Sequence, residues 1–370
     1  MSELDSYRVE GVERLRTPAL LIYPDIVDSN IRTTLAIVGG NPDRWRPHVK
    51  TVKMAYIIRR MVEEHGIRQV KCATTLELST SLAAGVTDAL LAYPVVGANA
   101  ERVKEIAAEY PSAKVSVLVE TAKQAEIWKG SAIGVFIDVN PGMNRTGIEQ
   151  DHVADLVELA KSIPNFRGLH YYDGHMHIAD PVEREKEAHK GYAQLMRLTE
   201  ALAEAGKAPE EVITSGTPAL QPGATFAPFQ NAPFVHRVSP GTVTFCDTTS
   251  MGELPAGYKP AALVVASVVS HPIAGRFTVD AGHKSVSADA GVPTCQVVGA
   301  NGEFTPLKPS EEHLPIDSKG TVPEIGSYVY LVPRHVCPTV NNFDDALIIQ
   351  NNKVVGTEKV TARGHEPAYS

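Results

Sequence analysis

The sequence predicts an α/β protein: a (β/α)8 barrel of the TIM type followed by a C-terminal, mostly-β domain. Three observations predict it. Eight short apolar runs alternate with amphipathic segments of helical period between residues 45 and 238. After about Thr248 the helical patterns nearly vanish, and β-rich runs punctuated by Gly and Pro take over. A chain of 370 residues is long enough for one large barrel and an appendage.

Leu15 to Tyr23 is β-prone and stops at Pro24. Asp25 is placed to cap a helix through about Val38, in which Ile26, Ile31, Leu35 and Val38 share one apolar face. The eight runs are 45–50, 69–73, 89–93, 114–119, 133–139, 167–172, 211–215 and 234–238. Helical patterns at 54–65, 76–84, 100–110, 122–129, 152–161 and 184–205 lie between most of them. Such alternation implies parallel strands with right-handed crossovers, and eight units fit a closed barrel. A doubly wound sheet is the alternative. It requires the two weaker runs, 69–73 and 234–238, not to be strands. The barrel domain is expected over 25–250 and the β domain over 251–370, with runs at 261–270, 276–281, 295–298, 328–332 and 346–350. The stretch 302–325 reads as a polar loop.

Composition narrows the function. The chain is 43% hydrophobic and 21% charged, with a net charge of −8. No basic tract is present to neutralise phosphates, which disfavours nucleic acid and leaves only local cationic sites for small anions. Cys72, Cys246, Cys295 and Cys337 lie far apart with no CxxC pair. They read as reduced thiols of a cytoplasmic protein, the first three as core residues. The acidic start Met1-Ser2-Glu3-Leu4-Asp5 is no signal peptide, and no apolar run approaches a membrane span.

In a barrel of this type chemistry gathers at the C-terminal ends of the strands. Lys50 follows the first run and Asn140-Pro141-Gly142-Met143-Asn144-Arg145-Thr146-Gly147 the fifth. Tyr172-Asp173-Gly174-His175-Met176-His177 follows the sixth, Ser215-Gly216-Thr217-Pro218 the seventh and Ser239-Pro240-Gly241-Thr242 the eighth. Phosphate sites often form after strands 7 and 8. There Gly216 and Gly241 would leave backbone N–H groups free for oxygens, and Ser215, Thr217 and Thr242 would add hydroxyl donors. A phosphate site opposite a strand-end lysine suggests pyridoxal phosphate, joined to Lys50 as an imine. Arg145 would then hold the phenolic oxygen or a substrate carboxylate, and Tyr172 would contact the ring. In the β domain, His335 and Cys337 stand two apart in an expected strand or strand end, so both side chains share a face. Imidazole plus thiolate suits zinc and leaves the metal open to water or substrate. Asp280 to Asp289 (DAGHKSVSAD) reads as a polar turn or as a wall of the active site.

Taken in order, LRTPAL at 15–20, RPHVKT at 46–51, NPGMNRTG at 140–147, YDGH at 172–175, SGTP at 215–218, SPGT at 239–242, DAGHKSVSAD at 280–289 and HVCPTVN at 335–341 resemble the D-threonine aldolase/D-serine dehydratase family of fold-type III pyridoxal phosphate enzymes, related to alanine racemase. The resemblance spans about 15 to 350. It implies that Lys50, and not Lys53, carries the imine, with Arg145 near the cofactor phenolate and Tyr172 near its ring. It implies a phosphate cup of Ser215, Gly216, Thr217, Gly241 and Thr242. His335 and Cys337 would hold a divalent metal, zinc first, with manganese or magnesium as alternatives. It also implies a homodimer, an opening strand at 15–23 paired with the β domain, and a small D-β-hydroxy-α-amino acid as substrate. Lys50 would be the base at Cα in a dehydratase, and His175 or His177 the base at the β-hydroxyl in an aldolase.

Three departures bear on that expectation. Aldolases of the family tend to have aspartate as the second metal ligand and dehydratases cysteine, so Cys337 leans toward the dehydratase and toward zinc. Val52-Lys53 stands where the family pattern implies His-Lys. Ser239 stands where alanine racemases have an arginine near the pyridine nitrogen; a neutral partner there weakens the electron sink and argues against the alternative, a metal-independent racemase.

Overall fold

The computed structural model describes residues 7–298 and 302–368. They form two compact units, one of residues 34–50, 58–241 and 365–368, the other of 7–33, 51–57 and 242–364.

The first unit is the barrel. Seven parallel strands run in order: Gln69–Cys72, Asp88–Pro94, Lys114–Val119, Gly134–Asn140, Phe166–His170, Glu211–Thr214 and Val235–Val238. The expected first strand, 45–50, makes no continuous ladder. Pro47 lacks the N–H that a ladder needs, and the segment instead makes single bridges, Trp45 to Val238 and His48 to Lys71. Those bridges join the two edge strands and close the ring, so the doubly wound alternative falls. Helices Thr75–Ala83, Ala98–Glu109, Val153–Ser162 and Pro181–Glu204 supply crossovers. Their starts follow from local chemistry. Thr74 accepts from Glu77 N, Thr121 and Gln124 form a capping box at Ala122–Glu126, and Asp180 accepts from Val182 N and Glu183 N ahead of Pro181.

Alternation along the strands turns every second side chain inward, which stacks the interior in layers. At the strand starts lie Arg46, Asp88, Glu211, Arg167 and Arg237, joined by ion pairs. Arg167 turns inward because it is a bulge: Val135 pairs with Phe166 and Phe136 with Gly168, leaving Arg167 as the extra residue. Above lies an apolar layer of Leu90, Leu118, Phe136 and Ile213. At the strand ends come Lys71, Asp138, His170 and Ser239, all buried.

The second unit is mostly sheet. Ala262–Ile273 is its spine, antiparallel to Ala19–Ile22, Arg276–Val279 and Tyr328–Pro333. Ala19–Ile22 also pairs in parallel with Asp345–Gln350. One face packs Val264, Phe277, Leu314 and Leu331, the other Leu21, Tyr23, Leu263 and Tyr330. The stretch 302–325 is not a loop. It forms strands Glu303–Pro306 and Leu314–Lys319, paired with each other. Leu314 and Ile316 bury alternately and Phe304 packs on the same core, a period that the surrounding prolines and charges masked. Among the described residues no helix is long and apolar enough to cross a membrane.

Candidate active site

Lys50 ends the first barrel segment, half-buried. The turn it belongs to is fixed by its neighbours: Val49 N donates to Lys71 O at 2.8 Å, and Trp45 Nε1 donates to Pro240 O at 3.0 Å. A Cβ on Gly241 would stand 2.3 Å from His48 O, so only glycine lets the 239–241 turn lie this close to the lysine segment. Lys50 Nζ lies 5.7 Å from the centroid of the Tyr172 ring, and Arg145 Cζ lies 5.2 Å from the same centroid. The structure thus brings two basic residues from separate loops onto one ring. Arg145 is presented by a turn in which Asn140 Oδ1 accepts from both Gly142 N and Asn144 N at 3.0 Å. Against the edge of Tyr172 lies Gly174, where a Cβ would come within 2.4 Å of the ring.

A third basic side chain, Lys71, meets the same ring and is not marked by the sequence motifs. Its Nζ lies 4.7 Å from the Tyr172 centroid. It donates to Ser239 Oγ at 2.6 Å and meets His170 Nε2 at 3.2 Å. Ser239 is therefore not an isolated neutral group, because a lysine stands behind it. The one available signal was a lysine inside a strand, Gln69–Cys72, that is buried throughout. His170 Nδ1 lies 2.7 Å from Asp138 Oδ1. Burial, then Lys71, push the His170 imidazole down, and burial, then Lys50, do the same to His48. Both rings are held neutral.

The loops after Phe166–His170 and Glu211–Thr214 are locked by Asp173. Tyr192 Oη donates to its Oδ2 at 2.6 Å and Gly216 N to its Oδ1 at 3.0 Å. The Gly216 N–H is thus engaged rather than free. Ser215 Oγ is turned inward as well, 3.2 Å from Tyr192 Oη and 2.9 Å from Thr214 Oγ1. Thr217 opens the short turn Thr217–Ala219 and Thr242 opens Thr242–Thr244. His175 has a buried Nδ1 with no partner and lies beside Gly142; His177 is exposed.

In the second unit His335 and Cys337 are not in a strand. His335 is the N-cap of the short helix Val336–Asn341 that follows Tyr328–Pro333, and Cys337 lies in its first turn. Pro338, tolerated in a first turn, hid that helix in the sequence. The two side chains still meet. The Cys337 thiol and then Asp289, against burial, push the His335 imidazole up to about 9. Asp289 Oδ2 lies 2.6 Å from His335 Nδ1, which leaves Nε2 for a ligand. Thr51 Oγ1, one residue after Lys50 in the chain, lies 3.1 Å from Cys337 Sγ, and Thr242 Oγ1 lies 3.8 Å from it. Among the described residues no third His, Cys, Asp or Glu donor joins the pair within 4.8 Å. Of the expected polar wall 280–289, Asp289 reaches the pair, while Lys284 bonds Glu311 at 2.7 Å. The other cysteines are buried; burial pushes the Cys246 and Cys295 thiols up to about 12 and raises that of Cys72.

Comparison with known proteins gives a consistent picture. Residues 22–248 match the family model described as "Alanine racemase, N-terminal domain", and residues 261–349 match that of the "Putative serine dehydratase domain". The chain is 28% identical to a D-threonine aldolase of an Arthrobacter species, over 96% of this chain and 94% of that protein. It is 26% identical to a 3-hydroxy-D-aspartate aldolase of Paracoccus denitrificans, over 95% and 92%. The crystal structure of D-threonine aldolase from Filomicrobium marinum superposes with a TM-score of 0.84 at 27% identity, covering 95% of this chain and 97% of that one.

Proposed function

We infer the function from one premise: the chain belongs to the alanine racemase N-terminal domain family. On that premise it is a pyridoxal phosphate- and divalent metal-dependent lyase acting on small D-β-hydroxy-α-amino acids, a homodimer of the cytoplasm. The observation that carries the reading is the set of three basic side chains, Lys50, Lys71 and Arg145, around the Tyr172 ring at the strand ends. An aromatic aldehyde bearing a phosphate and a phenolate is the kind of ligand that such a cluster fits: flat, anionic and able to take an amine. The bare backbone at Gly174 and Gly241 lets Tyr172 and the His48–Lys50 segment pack directly against those turns.

When bound, the cofactor supplies an electron sink at Cα, and a divalent metal supplies a Lewis acid for the β-oxygen. Lys50 would hold the cofactor, and as a free amine it would remove the Cα proton in the dehydratase branch. His175 or His177 takes the β-hydroxyl proton in the aldolase branch. Arg145 orients a phenolate or a substrate carboxylate. Ser215, Gly216, Thr217, Gly241 and Thr242 would take the phosphate, with the Gly216 N–H and the Ser215 hydroxyl already engaged elsewhere. His335 and Cys337 fit a metal by donor chemistry, a borderline nitrogen and a soft sulfur that favour zinc, with Asp289 fixing the imidazole.

Two measurements test this. Purified enzyme given D-threonine yields glycine and acetaldehyde if it is an aldolase, or 2-oxobutyrate and ammonia if it is a dehydratase, and chelation abolishes either. No product from D-threonine, D-serine or D-3-hydroxyaspartate sinks the reading, and activity that survives chelation returns the racemase alternative. Separately, Asp289→Ala frees the His335 ring and weakens metal binding by about 10–100-fold. Competition with a chromophoric chelator reads that loss; unchanged affinity would show that Asp289 does not orient the ligand.

A further inference from the structure

We propose that Lys71 is a second working amine of the barrel site: it takes the proton that Lys50 must lose before Lys50 can attack a carbonyl carbon. The inference rests on the reading that Lys50 captures a carbonyl.

A lysine buried to 1% exposure is costly unless its donors are met. The partners of Lys71 are a hydroxyl and an imidazole rather than a carboxylate. The Ser239 hydroxyl donates its own hydrogen to Ser215 O at 3.2 Å, so toward Lys71 it presents a lone pair. His170 is neutral and places Nδ1 against Asp138, so its N–H lies there and Nε2 also presents a lone pair. A neutral amine satisfies both acceptors with its two N–H groups and keeps its own lone pair for an incoming proton. An ammonium satisfies the same two acceptors and turns its third N–H to the face of Tyr172, 4.7 Å from the centroid. Both protonation states are therefore fully partnered in one geometry.

The surrounding charges set which state is held. Lys71 faces the cations Lys50 and Arg145 and the carboxylates Asp138 and Asp173, and burial followed by Lys50 pushes it well below the usual lysine range. His48, also close, is neutral. Lys50 and Lys71 face the same Tyr172 ring, 5.7 and 4.7 Å from its centroid, and the charge of Lys50 disfavours a second charge on Lys71. In the transfer Lys50–NH3+ becomes Lys50–NH2 while Lys71–NH2 becomes Lys71–NH3+. Attack by Lys50 on the carbonyl carbon then forms a C=N bond with loss of water, and Lys71 holds the proton until it is returned.

The test is the rate at which the full-length chain, freed of cofactor, captures added pyridoxal phosphate, followed by absorbance from pH 6.5 to about pH 10. Lys71→Met and Lys71→Gln are expected to slow capture by about tenfold at pH 7 and to recover toward pH 10. Identical rates and profiles in all three proteins overturn the proposal. So does restoration by Lys71→Gln alone, because glutamine replaces the hydrogen bonds but accepts no proton. The unaltered protein gives an answer even where a variant does not fold: its rate is expected to fall by less than about threefold between pH 8.5 and 7, and a tenfold fall per pH unit overturns the role. Borohydride reduction and peptide mapping separate the two readings. If the unaltered protein carries no lysine-linked cofactor, the proposed function fails. If all three carry it on Lys50 with one pH profile, only the role of Lys71 fails.

Discussion

Lys50→Met is expected to bind no pyridoxal phosphate covalently and to lose lyase activity by about 10^4-fold or more, whereas Lys53→Met is expected to keep both. The contrast is the informative part, because the two lysines are three residues apart and the sequence presents them alike. Their surroundings separate them. Lys50 Nζ lies over Tyr172, the ring that Arg145 and Lys71 also face. Lys53 has a positive φ of 51° and is buried. Its Nζ donates to Ala362 O at 3.3 Å, and its own carbonyl accepts from Ala362 N at 2.8 Å. That lysine ties the C-terminal segment and presents no spare amine. Borohydride reduction with peptide mapping reads the covalent link, and initial rates on a D-β-hydroxy-α-amino acid read activity. A cofactor mapped to Lys53 or Lys71 would move the chemistry off Lys50 and remove the basis of the proposed mechanism.

Much of the barrel is legible in the sequence because each signal is local. Runs such as 114–119 and 211–215 coincide with strands Lys114–Val119 and Glu211–Thr214, since a strand buried on both faces reads as an unbroken apolar stretch. Helix Pro181–Glu204 is announced by Asp180 and Pro181 at its start. What stays hidden depends on partners distant in sequence. The strand Leu314–Lys319 carries Pro315 and charges, and its pairing with Arg276–Val279 on one side and Glu303–Pro306 on the other makes it a strand. The final hairpin, Asp345–Gln350 with Lys353–Lys359, turns at Asn351 and Asn352, both of positive φ; that Asn-Asn pair was a readable turn signal that went unread. The same division holds at the site. Lys50, Arg145 and Tyr172 stand in short polar turns and can be picked out one at a time. Lys71, Asp138 and His170 belong to three different strands and Ser239 follows a fourth, and nothing in any one segment says that they meet. Asp289 is likewise assigned only by its approach to His335, 46 residues on.

Arg46→Met destabilises the protein by about 3–5 kcal/mol without slowing carbonyl capture per folded molecule. Arg46 is fully buried and bridges two carboxylates. Its Nε and Nη2 donate to Glu211 at 2.8 and 2.9 Å, and its Nη1 and Nη2 donate to Asp88 at 3.1 and 2.9 Å. Removing it leaves Glu211, 2% exposed, against only Arg167 and Arg237. Losing these buried charge-assisted hydrogen bonds to Glu211 and Asp88 costs far more than breaking a surface pair such as Lys129–Glu126, which contributes at most about 1 kcal/mol. The pH dependence follows from Asp88. Burial pushes its carboxyl up, but Arg46 and Arg167 more than offset that and hold it well below the usual carboxylate range. A carboxyl depressed in the folded state stabilises above its unfolded value, and that stabilisation is lost as pH falls toward the folded value. In Arg46→Met the depression shrinks, so the gap between variant and unaltered protein is full near neutral pH and narrows below about pH 4. Urea unfolding at pH 7 and at pH 3 measures both quantities. A loss under about 1 kcal/mol at pH 7 would show that the network is a solvated cluster rather than the floor of the barrel. A loss of capture rate in the folded variant would show that the charges at the strand starts reach Lys50 across the apolar layer of Leu90, Leu118, Phe136 and Ile213. That layer keeps water and mobile charge out of the middle of the barrel, so the charged groups at the strand starts can be tuned for stability while the amines at the strand ends are tuned for chemistry.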